Sequence, residues 1–153
     1  MPSIADPRSL ADLRARLGAL TPQSPRRWGT LTAAEMLCHL GDASDSVLGR
    51  RVAEGPPAAA VSRPIRKWVA LRTTIPWPKG VPTRAHVDPR RGGSQPGDFE
   101  QDRARVIAGL ADLAGASAAQ LAPVHAMFGP MTLADWHHWA WRHVDHHLRQ
   151  FGV

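Results

Sequence analysis

Four long segments of the chain repeat apolar residues every three to four positions, the spacing of one face of an α-helix. They span residues 6–20, 32–48, 98–113 and 132–151 of the 153-residue chain. Each begins at a residue that commonly caps a helix: Asp6, Thr32, Asp98 and Thr132. No segment of comparable length shows the alternation of a strand. The pattern predicts an all-α protein built as a helical bundle.

The middle of the chain has a different composition, because most of the prolines and several glycines lie between residues 55 and 97. Such a composition breaks long helices and favours turns. Within it, only residues 62–72 are predicted to be helical. The stretch forms a long proline-rich crossover between the second and third long helices. Connections this long are more often functional covers or mobile segments than simple links, and we expect this one to shield one end of the bundle.

Length and composition favour a single soluble domain over residues 1–153. The one cysteine, Cys38, excludes an internal disulfide and fits a reducing compartment, so we expect a cytoplasmic location. No run of residues approaches the roughly 20 apolar positions of a membrane span, and the N-terminus lacks the pattern of a signal peptide. A membrane association is therefore not expected.

The formal charge of +6 comes almost wholly from arginine. A basic chain can attract nucleic acid or anionic metabolites. The arginine doublets are scattered over predicted loops and helix ends, however, and no phosphate-binding glycine loop or nucleic-acid-binding motif accompanies them. Nucleic acid is therefore not an expected partner.

Histidines are concentrated in the last predicted helix, where residues 136–150 hold five of the eight in the chain. Helical phase places His143 and His147 one turn apart on the apolar stripe, which should face the core, and His146 at its edge. In the second predicted helix, His39 also lies on an apolar face. Imidazole is a good ligand for transition metals, and bundles build metal sites from neighbouring helices. Three histidines would leave a coordination position open for water or substrate.

A plain packing role explains some of the same features. An inward histidine often only hydrogen-bonds within a core, and for His39 taken alone this is the simpler interpretation. For His143 and His147 both interpretations stay open, since two adjacent buried imidazoles are costly without a metal or polar partners. Three other histidines are expected at interfaces, on the surface or in the loop, and are given no role: His137, His138 and His86.

Partners of the candidate ligands are expected one turn further along each helix. A ligating histidine usually donates its second ring hydrogen to a carboxylate or carbonyl, and Asp42 and Gln150 are suitably placed. We expect Trp136 and Trp139 at the mouth of a pocket beside the histidines. Cys38 is expected to pack as a small apolar residue and not to act as a ligand or nucleophile.

Three blocks of sequence carry a family resemblance: WGTLTAAEMLCHL at residues 28–40, HAMFG at 125–129 and RHVDHHLRQFG at 142–152. Together they resemble the DinB-like superfamily, and within it a branch described only as a domain of unknown function. The terminal block is the most specific, and the proline-rich middle is weakly matched. Ala126 stands where a proline is expected after His125, so the role of that loop is left open: His125 either approaches the site as a polar partner or fixes the loop.

The resemblance implies a four-helix bundle with a right-handed up-down-down-up course, often dimeric, and a divalent metal held by three histidines. The matching positions are His39, His143 and His147. The superfamily includes metal-dependent transferases and isomerases that use low-molecular-weight thiols, along with many members without an established activity.

The sequence thus favours a protein that binds one divalent metal (zinc, nickel, iron or manganese). It would act as a metal-dependent transferase, thiol-linked, or as a hydrolase, with a small-molecule substrate such as a thiol or an anionic metabolite. Whether it is an enzyme is left open. The alternative is a non-catalytic helical-bundle module for interaction or homodimerisation, in which the histidines belong to the core.

Overall fold

The computed structural model describes residues 1–52 and 63–153. This part of the chain is mostly helical. Its α-helices are α1 (Pro7–Gly18), α2 (Ala33–Val47), α3 (Arg63–Arg72), α4 (Phe99–Gly115) and α5 (Leu133–Phe151). The prediction of a mainly helical protein is confirmed. Ser62 and the start of the proline-rich stretch lie outside the described residues.

The predicted helix starts are confirmed by side-chain caps. The Asp6 carboxylate accepts from the Ser9 backbone N–H at 3.0 Å, and Asp98 does the same for Gln101 at 2.9 Å. Thr32 and Thr132 each form a reciprocal capping box, with Glu35 and Asp135 respectively. These bonds satisfy backbone donors that an isolated helix end leaves without partners, so the sequence fixes where each helix begins.

The helix ends differ slightly from the prediction. Helix α1 ends at Gly18, although Leu20 is buried and continues its apolar pattern into the turn that follows. The next residues, Thr21 and Pro22, disfavour a helical backbone, so the turn begins before them. Helix α4 continues past Leu113 to Gly115.

One apolar core lies between the helices. Helix α2 packs against α4 and α5, α1 packs against the same two, and α3 packs against α5. Glycines let α2 and α4 approach closely, since a Cβ on Gly109 would meet the Ser44 side chain at 3.1 Å. The largest fully buried side chains include Leu13, Leu17, Met36, Leu37, Leu40, Val106, Leu110 and Leu148. Burial of each such side chain contributes about 1.5–3 kcal/mol to folding.

Residues 73–98 follow α3 within the crossover and include a short 3₁₀ turn at Ala85–Val87. Polar contacts hold this segment to α2. The Arg51 guanidinium donates to the His86 carbonyl at 2.7 Å, and Ser94 donates its backbone N–H and its hydroxyl to the Asp42 carboxylate at 2.6 and 2.7 Å. These bonds place the Val87 carbonyl beside α2, where it enters the site described below.

A small antiparallel pair precedes α5. Strands β1 (Val124–His125) and β2 (Gly129–Pro130) pair His125 with Gly129. The sequence predicted no strand here, because two-residue strands carry no usable alternation. No helix within the described residues is long and apolar enough to cross a membrane.

Candidate metal centre

Three histidines from two helices converge between α2 and α5. One ring nitrogen from each of His39, His143 and His147 lies within 4.8 Å of the others. The Nε2 atoms of His39 and His143 are 3.0 Å apart. His39 is buried, while His143 and His147 each keep part of their surface exposed. The cluster therefore lies at the edge of the core with one side accessible.

Helical spacing explains how α5 supplies two of the three rings. His143 and His147 are four residues apart, so they stand on the same face of the helix with ring centroids 4.9 Å apart. The His39 ring lies 5.0 Å from that of His143 and 4.8 Å from that of His147. The two helices thus present their imidazoles to one common point.

Two of the rings are oriented by their other nitrogen. His39 Nδ1 lies 2.9 Å from the Val87 carbonyl, and His147 Nδ1 lies 3.0 Å from Gln150 Oε1. A carbonyl or amide oxygen can only accept, so both rings carry their hydrogen on Nδ1. In the neutral ring this leaves Nε2 unprotonated and able to coordinate a metal, and in His39 the same atom accepts from His143 Nε2 at 3.0 Å. Gln150 is itself fixed, because its Nε2 donates to the Trp28 carbonyl at 2.8 Å.

Burial keeps the three imidazoles neutral. Desolvation is the main cause that lowers the pKa of His39, and it holds the pKa values of His143 and His147 well below 6.5. Repulsion among the rings lowers the pKa values of His143 and His147 further. A histidine must be neutral to bind a metal, so the donors are in the required state at neutral pH.

The donor set fits a divalent transition metal. Nitrogens that bind one ion at about 2.0–2.1 Å can be no more than about 4.2 Å apart. The 3.0 Å separation of His39 and His143 satisfies this limit, and the spread of up to 4.8 Å across all three nitrogens requires a contraction of at most about 0.6 Å. Three neutral imidazoles suit zinc, nickel or iron better than calcium or magnesium, which prefer oxygen ligands. Three protein ligands are also typical of sites that keep a position for water or substrate.

Tryptophans surround the accessible side. The Trp139 ring stacks on His143 with a centroid distance of 4.8 Å, and the Trp77 ring lies 6.1 Å from the same histidine. Trp28 approaches His146 at 6.0 Å, and Lys79 Nζ lies 4.3 Å from the centre of the Trp28 ring. Trp77 and the Val87 carbonyl were not identified from the sequence. The only sequence signal at Trp77 is its position between two prolines, Pro76 and Pro78, in an otherwise featureless loop.

Of the two expected partners, Gln150 contacts His147 and Asp42 does not bond to His39. The two ring nitrogens of His39 face the Val87 carbonyl and His143 instead. Asp42 is fully buried and accepts hydrogen bonds from Ser94, Arg105 and Arg51. Burial opposes its ionisation, but the bonds from Ser94 and Arg105 outweigh that and lower the pKa of Asp42. Asp42 therefore bonds to the 73–98 segment, and that segment contacts His39 through the Val87 carbonyl.

His125 and Trp136 lie beside the cluster and not in it. The His125 ring stacks on Phe128 at 4.5 Å and lies 5.7 Å from Trp139. Its Nδ1 accepts from the Met127 backbone N–H at 3.1 Å, which fixes the β1–β2 turn. Burial, with a smaller effect of Arg84, lowers the pKa of His125 to about 4. Trp136 is buried and donates to the Ala122 carbonyl at 2.8 Å, so it packs in the core and does not stand at a pocket mouth.

The remaining candidates behave as packing residues. Burial, with repulsion from Asp102, raises the pKa of the Cys38 thiol to about 12, which makes it a poor nucleophile. His137 was expected at an interface or the surface, but it is buried and bonds to the Leu113 carbonyl at 3.2 Å. His86 is buried within the 73–98 segment.

A sequence model described as the DinB superfamily matches residues 7–151. The matched range runs from the first residue of α1 to the last residue of α5 and includes all three clustered histidines. No significant match was found among curated proteins or among solved structures.

Proposed function

Since the chain belongs to the DinB superfamily, we propose that it is a divalent-metal-binding protein whose ligands are His39, His143 and His147. The observation that carries this proposal is the convergence of three neutral ring nitrogens within 4.8 Å of one another. Burying several imidazoles together is costly unless their polar atoms have partners, and a shared metal ion supplies one partner for all three.

The residues around the cluster have defined parts in this proposal. The Val87 carbonyl and the Gln150 side chain fix the tautomers of His39 and His147, so that both present a lone pair to the same point. Trp139 and Trp77 cover the flank of His143 and limit the access of water. A bound divalent ion would polarise a carbonyl or lower the pKa of a bound water or thiol.

The reaction that we infer is a transfer that uses a small thiol, or a hydrolysis, with a small-molecule substrate. The partial exposure of His143 and His147 supports access from solvent, and the open coordination position of a three-histidine site supports direct contact with substrate. The metal is zinc, nickel, iron or manganese. An anionic metabolite is a second candidate substrate, since Arg142 acts electrostatically on His146, whose ring lies 5.3 Å from that of His147.

The proposal also includes the arrangement of the helices, the assembly of the protein and its location. We infer a single-domain four-helix bundle in which the proline-rich crossover connects the second and third long helices, a homodimeric assembly and a cytoplasmic location. The packing of α1, α2, α4 and α5 around one core supports the first of these. Size-exclusion chromatography with light scattering tests the dimer.

Metal analysis of the purified chain tests the central proposal. Elemental analysis of protein as isolated, followed by titration of the chelator-treated chain with Zn²⁺, Ni²⁺, Fe²⁺ and Mn²⁺, should give one equivalent of bound metal and a raised melting temperature. If no metal binds stoichiometrically, and His39→Ala changes neither metal content nor stability, the proposal is wrong.

A second candidate function is a non-catalytic interaction module, and one observation favours it. Helix α3 exposes large apolar side chains, with Ile65 at 70% and Trp68 at 60%. Exposed apolar surface of this kind is typical of contacts between proteins. Trp68→Ser should change the oligomeric state if this face forms an interface, while leaving metal stoichiometry unchanged. Metal binding with no change of assembly would favour the first function.

A further inference from the structure

A crevice lies outside the histidine cluster, between the 73–77 segment and the side of α5 that faces away from the cluster. Its volume is about 190 Å³, which is smaller than the roughly 300–1,000 Å³ of pockets for drug-sized ligands. The residues that decide its chemistry are Trp77, Trp141, Arg142, Asp145, His146 and Arg149. It is large enough for a small organic molecule and too small for a nucleotide or a peptide.

Arg142 is a buried cation without a carboxylate partner. It is 9% exposed, and its guanidinium donates to the backbone carbonyls of Thr73 and Ile75. Within the described ranges 1–52 and 63–153, no carboxylate lies at ion-pair distance from it, whereas Arg16 and Arg149 both pair with Asp145 at 2.9 Å. Buried charges are normally paired, because removal from water costs several kcal/mol per ion.

The balance of charge around the crevice is therefore positive. Two guanidinium groups, those of Arg142 and Arg149, line the crevice with a single carboxylate, that of Asp145, which also pairs with Arg16. The two backbone carbonyls use only part of the five donors of Arg142, so donors remain for a further acceptor. An anion in the crevice would supply the negatively charged partner that Arg142 lacks.

The other walls are flat and apolar. Trp77 and Trp141 both line the crevice, and the Arg142 guanidinium lies 5.8 Å from the centre of the Trp77 ring. The indole N–H of Trp141 is buried and has no hydrogen-bond partner within the described part of the chain. A buried donor without a partner costs about 1–3 kcal/mol, and a ligand's acceptor can recover part of that free energy only if the Trp141 ring moves to expose the nitrogen.

We propose that this crevice binds a small planar organic anion of the aromatic carboxylate class. The ring packs against Trp77 and Trp141, and the carboxylate accepts hydrogen bonds from Arg142. Arg149 adds attraction from the rim, since it is exposed and its charge is shared with Asp145. The site is separate from the three clustered histidines, and it adjoins them through His146 and Trp77, whose rings lie 5.3 Å from His147 and 6.1 Å from His143.

Titration of the full chain with benzoate tests the proposal. The protein is treated with chelator beforehand, so that a carboxylate bound directly to metal makes no contribution. The six tryptophans give six indole N–H signals in a proton–nitrogen correlation spectrum. We expect saturable shifts of the Trp141 and Trp77 signals, assigned from the single variants Trp141→Phe and Trp77→Phe, and binding at least about tenfold weaker for the neutral analogue benzyl alcohol.

Matched variants distinguish benzoate binding in the crevice from the general attraction of an anion to a basic protein. Arg142→Gln should weaken benzoate binding by about tenfold or more, Trp141→Phe by about threefold, and Arg149→Gln by about twofold to threefold. Arg14→Gln and Trp68→Phe change equally exposed or more exposed residues outside the crevice and should leave affinity unchanged. Because Arg142 also holds the 73–75 backbone, Trp141→Phe and Arg149→Gln serve as the test if Arg142→Gln does not fold.

The proposal is overturned by equal affinity for benzoate and benzyl alcohol, by shifts that spread over all six indoles, or by unchanged affinity in Trp141→Phe and Arg149→Gln together. The measurement is independent of the metal proposal. His39→Ala should abolish tight metal binding and keep benzoate binding, so a failure of either proposal leaves the other to be judged by its own result.

Discussion

In the first half of α5, His137 and His138 each place a ring nitrogen against a backbone carbonyl, at 3.2 Å from Leu113 and 3.0 Å from Pro2. In the second half, His143 and His147 face the ring of His39 instead. A carbonyl accepts one ring hydrogen and completes the bonding of an ordinary core or surface histidine. The facing nitrogens of His39 and His143 share one hydrogen at 3.0 Å, and the unprotonated nitrogens of the cluster favour a shared cation.

The two pairs of histidines therefore differ in the group that each imidazole ring faces. The number of histidines on the helix does not explain the difference. All four residues lie on one helix within eleven positions of sequence, and they differ in helical phase. Their positions around the helix direct His137 and His138 toward backbone carbonyls of α4 and the N-terminal segment. The same geometry directs His143 and His147 toward α2. The following experiments test whether this difference is real in solution.

Removing the histidine on α2 should have the largest effect. His39→Ala takes away one of the three proposed ligands and should weaken metal binding by at least about 100-fold, beyond the range usual for outer partners of a ligand. His138→Ala, on the other half of α5, should change it by less than about twofold. Isothermal titration of both chelator-treated variants with Zn²⁺ measures this, and equal losses in the two variants would erase the distinction between the halves.

His125, which packs against Trp136 and Trp139 in the first half of α5, should have a depressed pKa. Burial lowers the pKa of His125 to about 4, below its ordinary value of 6.5. A group with a depressed folded pKa contributes stability that is complete above pH 6.5 and is lost as pH falls through 4. We expect about 3 kcal/mol of unfolding free energy from this residue to disappear between those values. A titration of the His125 ring protons by NMR with a midpoint near 6.5 would contradict it.

The side chain that orients His147 should have a smaller effect than a ligand. Gln150→Met keeps the length of the side chain but removes the acceptor for His147 Nδ1, and we expect metal affinity to fall about tenfold. Gln101→Met, at an exposed position on α4, is the matched control and should have no effect. Unchanged affinity in Gln150→Met would mean that the Trp28–Gln150 contact serves packing alone.

The smallest effect is expected for a histidine of the first half. His137→Leu removes one hydrogen bond to the Leu113 carbonyl while keeping an apolar side chain of similar size, so unfolding free energy should fall by about 1 kcal/mol. Metal affinity should not change. Urea denaturation gives the first quantity and metal titration the second. A loss of metal binding here would place His137 in the same functional group as His143.

Local sequence signals were sufficient for the helices and for the ligand candidates. The caps at Asp6, Thr32, Asp98 and Thr132 act over three residues, so they can be recognised without knowledge of the fold. The inward phase of His143 and His147 follows from the apolar stripe of α5 in the same way. Gln150 was found for a similar reason, because it contacts a residue three positions away on its own helix.

Contacts made by the proline-rich crossover could not be predicted. Val87 reaches His39 because Arg51 binds the neighbouring His86 carbonyl and Asp42 binds Ser94, and these pairs are separated by 35 and 52 positions. Helical spacing placed Asp42 near His39, but the sequence does not show which arginines and hydroxyls donate hydrogen bonds to its carboxylate. The burial of Arg142 escaped prediction for the same reason, since carbonyls of the loop at Thr73 and Ile75 cover it.

The 104 positions that separate His39 from His143 also affect how the protein reaches its native state. Closing so long a loop is entropically unfavourable, and the cluster is complete only when α5 has packed against α2. A chain still emerging from the ribosome has His39 long before it has α5. Uptake of the proposed metal would therefore report completed folding, and the bound ion would hold α2 to α5 and slow unfolding of the whole molecule.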